Sequence, residues 1–139
     1  MSPNPSQLFD AETWRERMDE RWFDTGAAMA EAGAVDLVAI EDEKVTAHVT
    51  GSVGDLYVVQ LWAPAGEGLC TCPGFEKFGA CKHQAAVVTA ANAADLTKVR
   101  ERMAKLRDGL ALDGKDALIE RLAELARTQP AVLAALEGR

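Results

Sequence analysis

Cysteine is scarce in this chain, and the three present are not spread out. Cys70, Cys72 and Cys81 all fall within twelve residues. A secreted disulfide scaffold shows an even, dispersed set, so an odd cluster points to metal or to reactive thiols in a reducing compartment. Basic charge is also short: 15 Lys and Arg stand against 22 Asp and Glu, for a net −7. Phosphate contacts supply most of the affinity of a dedicated nucleic-acid binder, and this balance runs against that. No apolar run approaches the roughly 18 residues a membrane span needs. The first residues, Met1-Ser2-Pro3-Asn4-Pro5-Ser6, lack the basic segment and apolar core of a signal peptide, so a cytoplasmic location is expected and no membrane. Neither a nucleophile–base pair nor a phosphate loop is visible, so no enzymatic activity and no small-molecule substrate are expected.

Apolar residues make up 48% of the 139, enough for one ordinary domain with its own core. Charge is uneven. Residues 1–94 carry 6 basic and 14 acidic side chains, and residues 95–139 carry 9 and 8.

Residues 1–9 read as a flexible lead-in. Asp10 can cap a helix on which Trp14, Met18 and Trp22 share one face, running on through residues 27–32 to a stop at Gly33. The period then drops to 2. Residues 35–40, 44–50 and 56–62 read as strands, with Val45, Ala47 and Val49 inward and Lys44, Thr46, His48 and Thr50 outward. A short extended piece, 69–72, stops at Pro73-Gly74. Short connections favour an antiparallel meander. The rest is helical: an Ala-rich segment over 82–93, then Leu96, Val99, Met103, Leu106 and Leu110 in an arc of roughly 80°. Asp113 is expected to cap a further helix carrying Leu118, Ile119, Leu122, Leu125 and Ala126, and Pro130 to open a last one. The expected fold is α+β: N-terminal helices, a small antiparallel β-meander closed by a zinc loop, and a C-terminal helical tail. The divisions are a lead-in over 1–9, a domain over 10–93 and a helical extension over 94–139.

The stretch 70–83 carries the chemistry. In ligand shorthand it is C-x-C, eight residues, C-x-H. Residues i and i+2 of an extended segment point to one side, so Cys70 and Cys72 can chelate as a pair. Cys81 and His83 can close a tetrahedron from the start of the next helix, and zinc favours thiolate and imidazole in closed structural sites. Three readings compete with one structural Zn²⁺ on Cys70, Cys72, Cys81 and His83. Buried free thiols would leave the matched spacings unexplained. A redox pair would use C-x-x-C in place of C-x-C, with a helix N-terminus behind it that the Thr71-Cys72-Pro73 sequence does not suggest. A catalytic zinc needs an open position, and four protein ligands leave none.

This pattern resembles the SWIM zinc finger, in particular its bacterial stand-alone type. Cys72-Pro73 and Cys81-Lys82-His83 match the family's core, which is followed here by Ala85-Ala86-Val87-Val88. Upstream, Phe23-Asp24-Thr25-Gly26 with Gly33-Ala34-Val35, and downstream Asp116–Ile119 through Gln129-Pro130-Ala131, are similar to segments of bacterial relatives. The resemblance implies zinc ligation by Cys70, Cys72, Cys81 and His83, and broad roles in protein–protein interaction and nucleic-acid binding. A protein partner, with the chain as an accessory subunit of a larger assembly, is the expectation the acidic charge favours. The alternative is direct DNA or RNA contact through Lys77 and Lys82 beside the site and Lys98, Arg102 and Lys105 on one helix face. That face is more simply a solvated one, since Glu101 interrupts it. Trp14, Trp22 and Trp62 are expected as core or interface anchors in preference to base-stacking platforms.

Overall fold

The structure is a computed structural model, described here over residues 7–138. Residues 1–6 of the expected lead-in lie outside the described residues. Its last residue, Phe9, is buried, and its backbone N–H and C=O are both held by the Asn92 amide, at 2.9 and 3.1 Å. The chain divides into two compact units, residues 1–103 and 104–139.

The first unit starts with two N-terminal helices, which divide within the stretch read from sequence as one run from Asp10 to Gly33. Helix α1 (Ala11–Glu16) is capped by Asp10 as expected, and α2 (Glu20–Glu31) by Asp19. The chain breaks between them because local and tertiary groups compete with the helix. The Asp19 carboxylate accepts from Arg21 N–H at 2.8 Å. The Arg17 guanidinium donates to the carbonyls of Ala65 and Gly66. The break rotates the later residues, so Trp14 and Phe23 are buried while Trp22 is half-exposed. The expected shared face of Trp14, Met18 and Trp22 is thus corrected.

Four strands follow in simple order, β1 (Val35–Glu41), β2 (Lys44–Thr50), β3 (Leu56–Trp62) and β4 (Gly68–Cys70), all antiparallel. The period-2 pattern fixes the faces: Val45, Ala47, Val49, Val59 and Leu61 are fully buried. Each such aliphatic side chain contributes roughly 1.5–3 kcal/mol through lost contact with water. The register shifts between Leu37 and Ala39, a bulge that the alternation of β1 did not reveal.

After β4 come α3 (Pro73–Phe78) and α4 (Lys82–Ala93). Ala85, Val87, Val88 and Ala91 of α4 lie in the same core as the inner sheet face. Helix α2 approaches α4 closely at Gly26, where an added Cβ would stand 2.3 Å from the Lys82 carbonyl oxygen and 2.6 Å from Ala85 Cβ. Helix α5 (Leu96–Ala111) continues into the second unit. Arg102 on α5 grips the Asp36 carboxylate and donates to the Leu37 carbonyl at 3.0 Å.

The second unit holds the end of α5, then α6 (Lys115–Thr128) and α7 (Pro130–Glu137). Pro130 opens α7 as expected. Asp113 does not cap α6; Gly114 takes that position, and the Asp113 carboxylate pairs with Arg121 at 3.0 Å instead. No described residue of this unit is buried. No helix among the described residues is long and apolar enough to cross a membrane.

Candidate metal centre

Strand β4 delivers the first two candidate ligands. Cys70 pairs with Val59, which puts it on the inner, helix-facing side of the sheet. The next residue is pinned by hydrogen bonds, Thr71 N–H to the Val58 carbonyl at 3.1 Å and Val58 N–H to Thr71 Oγ1 at 3.0 Å. Cys72 therefore returns to the same side as Cys70. Its sulfur then caps α3, accepting from Phe75 N–H at 3.3 Å. The sequence had suggested a plain loop with no helix behind Cys72, and that expectation is corrected. Pro73 suits the first helical position, where no intrahelical N–H partner is needed. Gly79, at φ 74°, ends the helix in the left-handed conformation that glycine adopts without strain.

That short helix carries the chain to Cys81, the N-cap of α4, with His83 in the first turn. Gln84 reaches back, its Oε1 accepting from Cys81 N–H at 3.3 Å. The four candidate ligand atoms of Cys70, Cys72, Cys81 and His83 lie within 4.8 Å of one another, and all four residues are buried. His83 turns Nδ1 inward, 3.8 Å from Cys70 Sγ. The Tyr57 ring covers the imidazole at a centroid distance of 4.7 Å.

The donor set fits zinc. Bonds of about 2.3 Å to sulfur and 2.0–2.1 Å to nitrogen require ligand atoms roughly 3.5–3.8 Å apart around a tetrahedron. The electrostatics fit as well. Hydrogen bonding to Cys81 and burial push the Cys70 thiol up, and burial pushes Cys72 up. Cys81 moves the other way, down to about 4, because Cys70 above all, then His83 and the Gln84 backbone, hydrogen-bond to its sulfur. The pocket thus already favours one thiolate, and a divalent cation would supply the charge that holds the other two sulfurs deprotonated.

A family model for the SWIM zinc finger matches residues 57–92, from β3 to the end of α4. This segment is similar to the SWIM zinc finger. The match takes in all four ligands and leaves outside it the similarities noted over 23–35 and 116–131. No curated protein and no solved structure matches the chain. The SWIM segment is accordingly a site for one structural zinc ion, set where the sheet hands over to α4.

The remaining expected site residues are dispersed. Lys77 is exposed on α3, its Nζ 5.2 Å from the Phe78 ring centroid. Lys82 is half-buried at the first position of α4. Lys98, Arg102 and Lys105 are exposed along α5, with Arg102 committed to Asp36. Beside the SWIM ligands lies a cleft of about 460 Å³ whose walls include Trp22, Tyr57, Pro73, Phe78 and Lys82. Trp22 and Phe78 meet there at 5.4 Å, and Phe78 is 58% exposed. Sequence reasoning did not single out Tyr57 or Phe78. The signal available for Phe78 was an aromatic residue directly before a glycine inside the ligand loop.

Proposed function

We propose that the chain is a zinc-held protein-interaction module, an accessory subunit of a larger assembly in a reducing, cytoplasmic setting. The observation that carries this reading is the aromatic cleft walled by Trp22, Tyr57 and Phe78 beside the metal centre. Exposed aromatic side chains in a fixed pocket are typical anchors of protein interfaces, since they contribute large apolar area at low entropic cost. Zinc sets the positions of Tyr57 and α3 by holding β4 and α4 together, which makes the cleft depend on the ion. The role is non-catalytic, because four protein ligands fill a tetrahedron and leave no position for an activated water.

A second reading, direct contact with single-stranded DNA or RNA, draws on Lys82 in the wall of the aromatic cleft, where bases could stack, and on Lys77, whose Nζ lies 5.2 Å from the Phe78 ring centroid. The commitment of Arg102 to Asp36 weakens the helical basic face on which that reading also depends.

One pair of measurements separates the two. Affinity capture from the native host with the zinc-loaded protein should retain a protein that Phe78→Asp releases while zinc stays stoichiometric. Titration against single- and double-stranded nucleic acid should show no complex at physiological salt. Nucleic-acid binding that weakens steeply as salt rises, and is lost on Lys77→Ala and Lys82→Ala, would establish the second reading instead.

A further inference from the structure

The His83 imidazole lacks the polar support that a metal-bound histidine ordinarily has. A histidine that ligates through one ring nitrogen carries a proton on the other. That N–H is commonly fixed by a carboxylate, a carbonyl or water, which sets the tautomer and the orientation of the ring. Here Nδ1 faces the Cys70 sulfur at 3.8 Å. Nε2 is buried and has no hydrogen-bond partner among the described residues. His83 as a whole is 5% exposed. With no polar group holding Nε2, packing must orient the ring.

The packing comes from Tyr57. Its ring centroid lies 4.7 Å from that of the imidazole, with the planes tilted by 41°. Tyr57 stands two residues before Val59, the strand partner of Cys70, so it projects from the same inner face of the sheet. It is seated in turn by the connection between β2 and β3. Gly51 N–H donates to the Asp55 carbonyl at 2.7 Å and Gly54 N–H to the Gly51 carbonyl at 3.0 Å. The Tyr57 hydroxyl reaches the Asp55 carboxylate at 3.4 Å. A Cβ on Gly51 would stand 2.8 Å from Cε2 of the Tyr57 ring. Gly51 is not in the left-handed region, so what glycine supplies there is room for the ring.

We infer that Tyr57 is a positioning residue for the zinc site: seated by the Gly51–Asp55 turn, its ring holds the His83 imidazole so that Nδ1, and not Nε2, is offered to zinc, whether or not a partner enters the cleft. The turn contributes no ligand, yet it reaches the metal centre through one aromatic contact.

The test compares the full, zinc-loaded chain with Tyr57→Ala, Tyr57→Phe and Gly51→Ala. Zinc affinity is read by chelator competition. The ligating nitrogen of His83 is read from long-range proton–nitrogen NMR spectra and, with cadmium in place of zinc, from metal–nitrogen coupling. The native chain should bind through Nδ1 and keep the proton on Nε2. Tyr57→Ala should weaken zinc binding about 10- to 100-fold, the usual cost of losing a group that orients a metal ligand, and should mix Nδ1 and Nε2 ligation. Tyr57→Phe should behave as the native chain in both readings, since the ring remains. Gly51→Ala should shift both in the direction of Tyr57→Ala, and add nothing in the Tyr57→Ala background. Ligation through Nε2 in the native chain would overturn the inference. So would pure Nδ1 ligation in Tyr57→Ala, because a loss of affinity alone is what general destabilisation gives. An effect of Gly51→Ala that persists undiminished without the Tyr57 ring would overturn it too. If Tyr57→Ala does not fold, Gly51→Ala decides by the same nitrogen signature, mixed ligation supporting the role and unchanged ligation refuting it. A protein partner lost from Tyr57→Ala whose Nδ1 ligation is intact would uphold the interaction module and refute the positioning role.

Discussion

Two glycines on helices illustrate how steric room decides the effect of one methyl group. At Gly26 a Cβ would meet the Lys82 carbonyl oxygen at 2.3 Å and the Ala86 backbone nitrogen at 2.7 Å, neither of which can turn aside. Gly26→Ala should destabilise the first unit by about 1–3 kcal/mol, the cost of overpacking a tight contact. Denaturant unfolding checks this. Because Lys82 and its neighbours Cys81 and His83 share that backbone, zinc affinity measured by chelator competition should fall in the same variant. Gly109 on α5 has nothing within 4 Å. Gly109→Ala should raise stability by about 0.5–1 kcal/mol, since alanine restricts the unfolded chain and favours the helix. Among the ligands, Cys81→Ser should reduce bound zinc from one equivalent to none in metal analysis at micromolar protein, because the oxygen is a poor replacement for a buried thiolate at the N-cap of α4.

At the scale of elements, the ion pair between Asp36 on β1 and Arg102 on α5 ties α5 to the sheet. The Arg102 guanidinium holds the Asp36 carboxyl below the usual carboxylate range. A depressed carboxyl stabilises the fold above its unfolded value and stops doing so as pH falls through the folded one. The contribution is therefore complete at neutral pH and lost in acid, where the zinc ligands also protonate. A double-mutant cycle of Asp36→Asn and Arg102→Gln at pH 7 should give a coupling of about 0.2–1 kcal/mol, as both side chains are more than half exposed. Elements differed in how far their sequences revealed them. The three long strands were legible because one face is buried and the other wet, which imposes a period of 2. The segment 82–93 was legible from its alanines. The break between α1 and α2 was not, because its cause is distant: Arg17 bonds to carbonyls near residue 65. Helix α3 was hidden behind Pro73-Gly74, a pair that reads as a breaker. Its start depends on a sulfur cap at Cys72, for which propensities carry no signal. The ligands were plain from spacing alone, whereas the cleft beside them depended on which face of α2 Trp22 would occupy, and the unseen break decided that.

For the molecule as a whole, the metal and the two units make a divided prediction. Chelation should remove protection from exchange in β4, α3 and the first turns of α4, because zinc affinity in such a site is folding free energy. Amides of α6 and α7 should change little, since among the described residues the grouped ligands end at His83. Exchange mass spectrometry with and without chelator checks this, and uniform loss across both units would contradict it. The acidic first unit and neutral second one also imply unequal responses to salt: screening should relieve repulsion among residues 1–103 and leave helix–helix contact in the second unit nearly unaffected.

The ligands span only fourteen positions, from Cys70 to His83, and this has a bearing on the order of events during folding. Two half-sites, each a pair separated by one residue, lie close enough in sequence for zinc to gather them before any distant strand has paired. Contacts so local form early, ahead of those that close long loops. The ion would then fix the join of β4 to α4 as a nucleus. Strands β2 and β3 and the helix bearing Gly26 would assemble on a surface that the metal had already shaped. A chain made without zinc should accordingly lack the join of β4 to α4 from the moment of synthesis, the same region that chelation opens in the folded molecule.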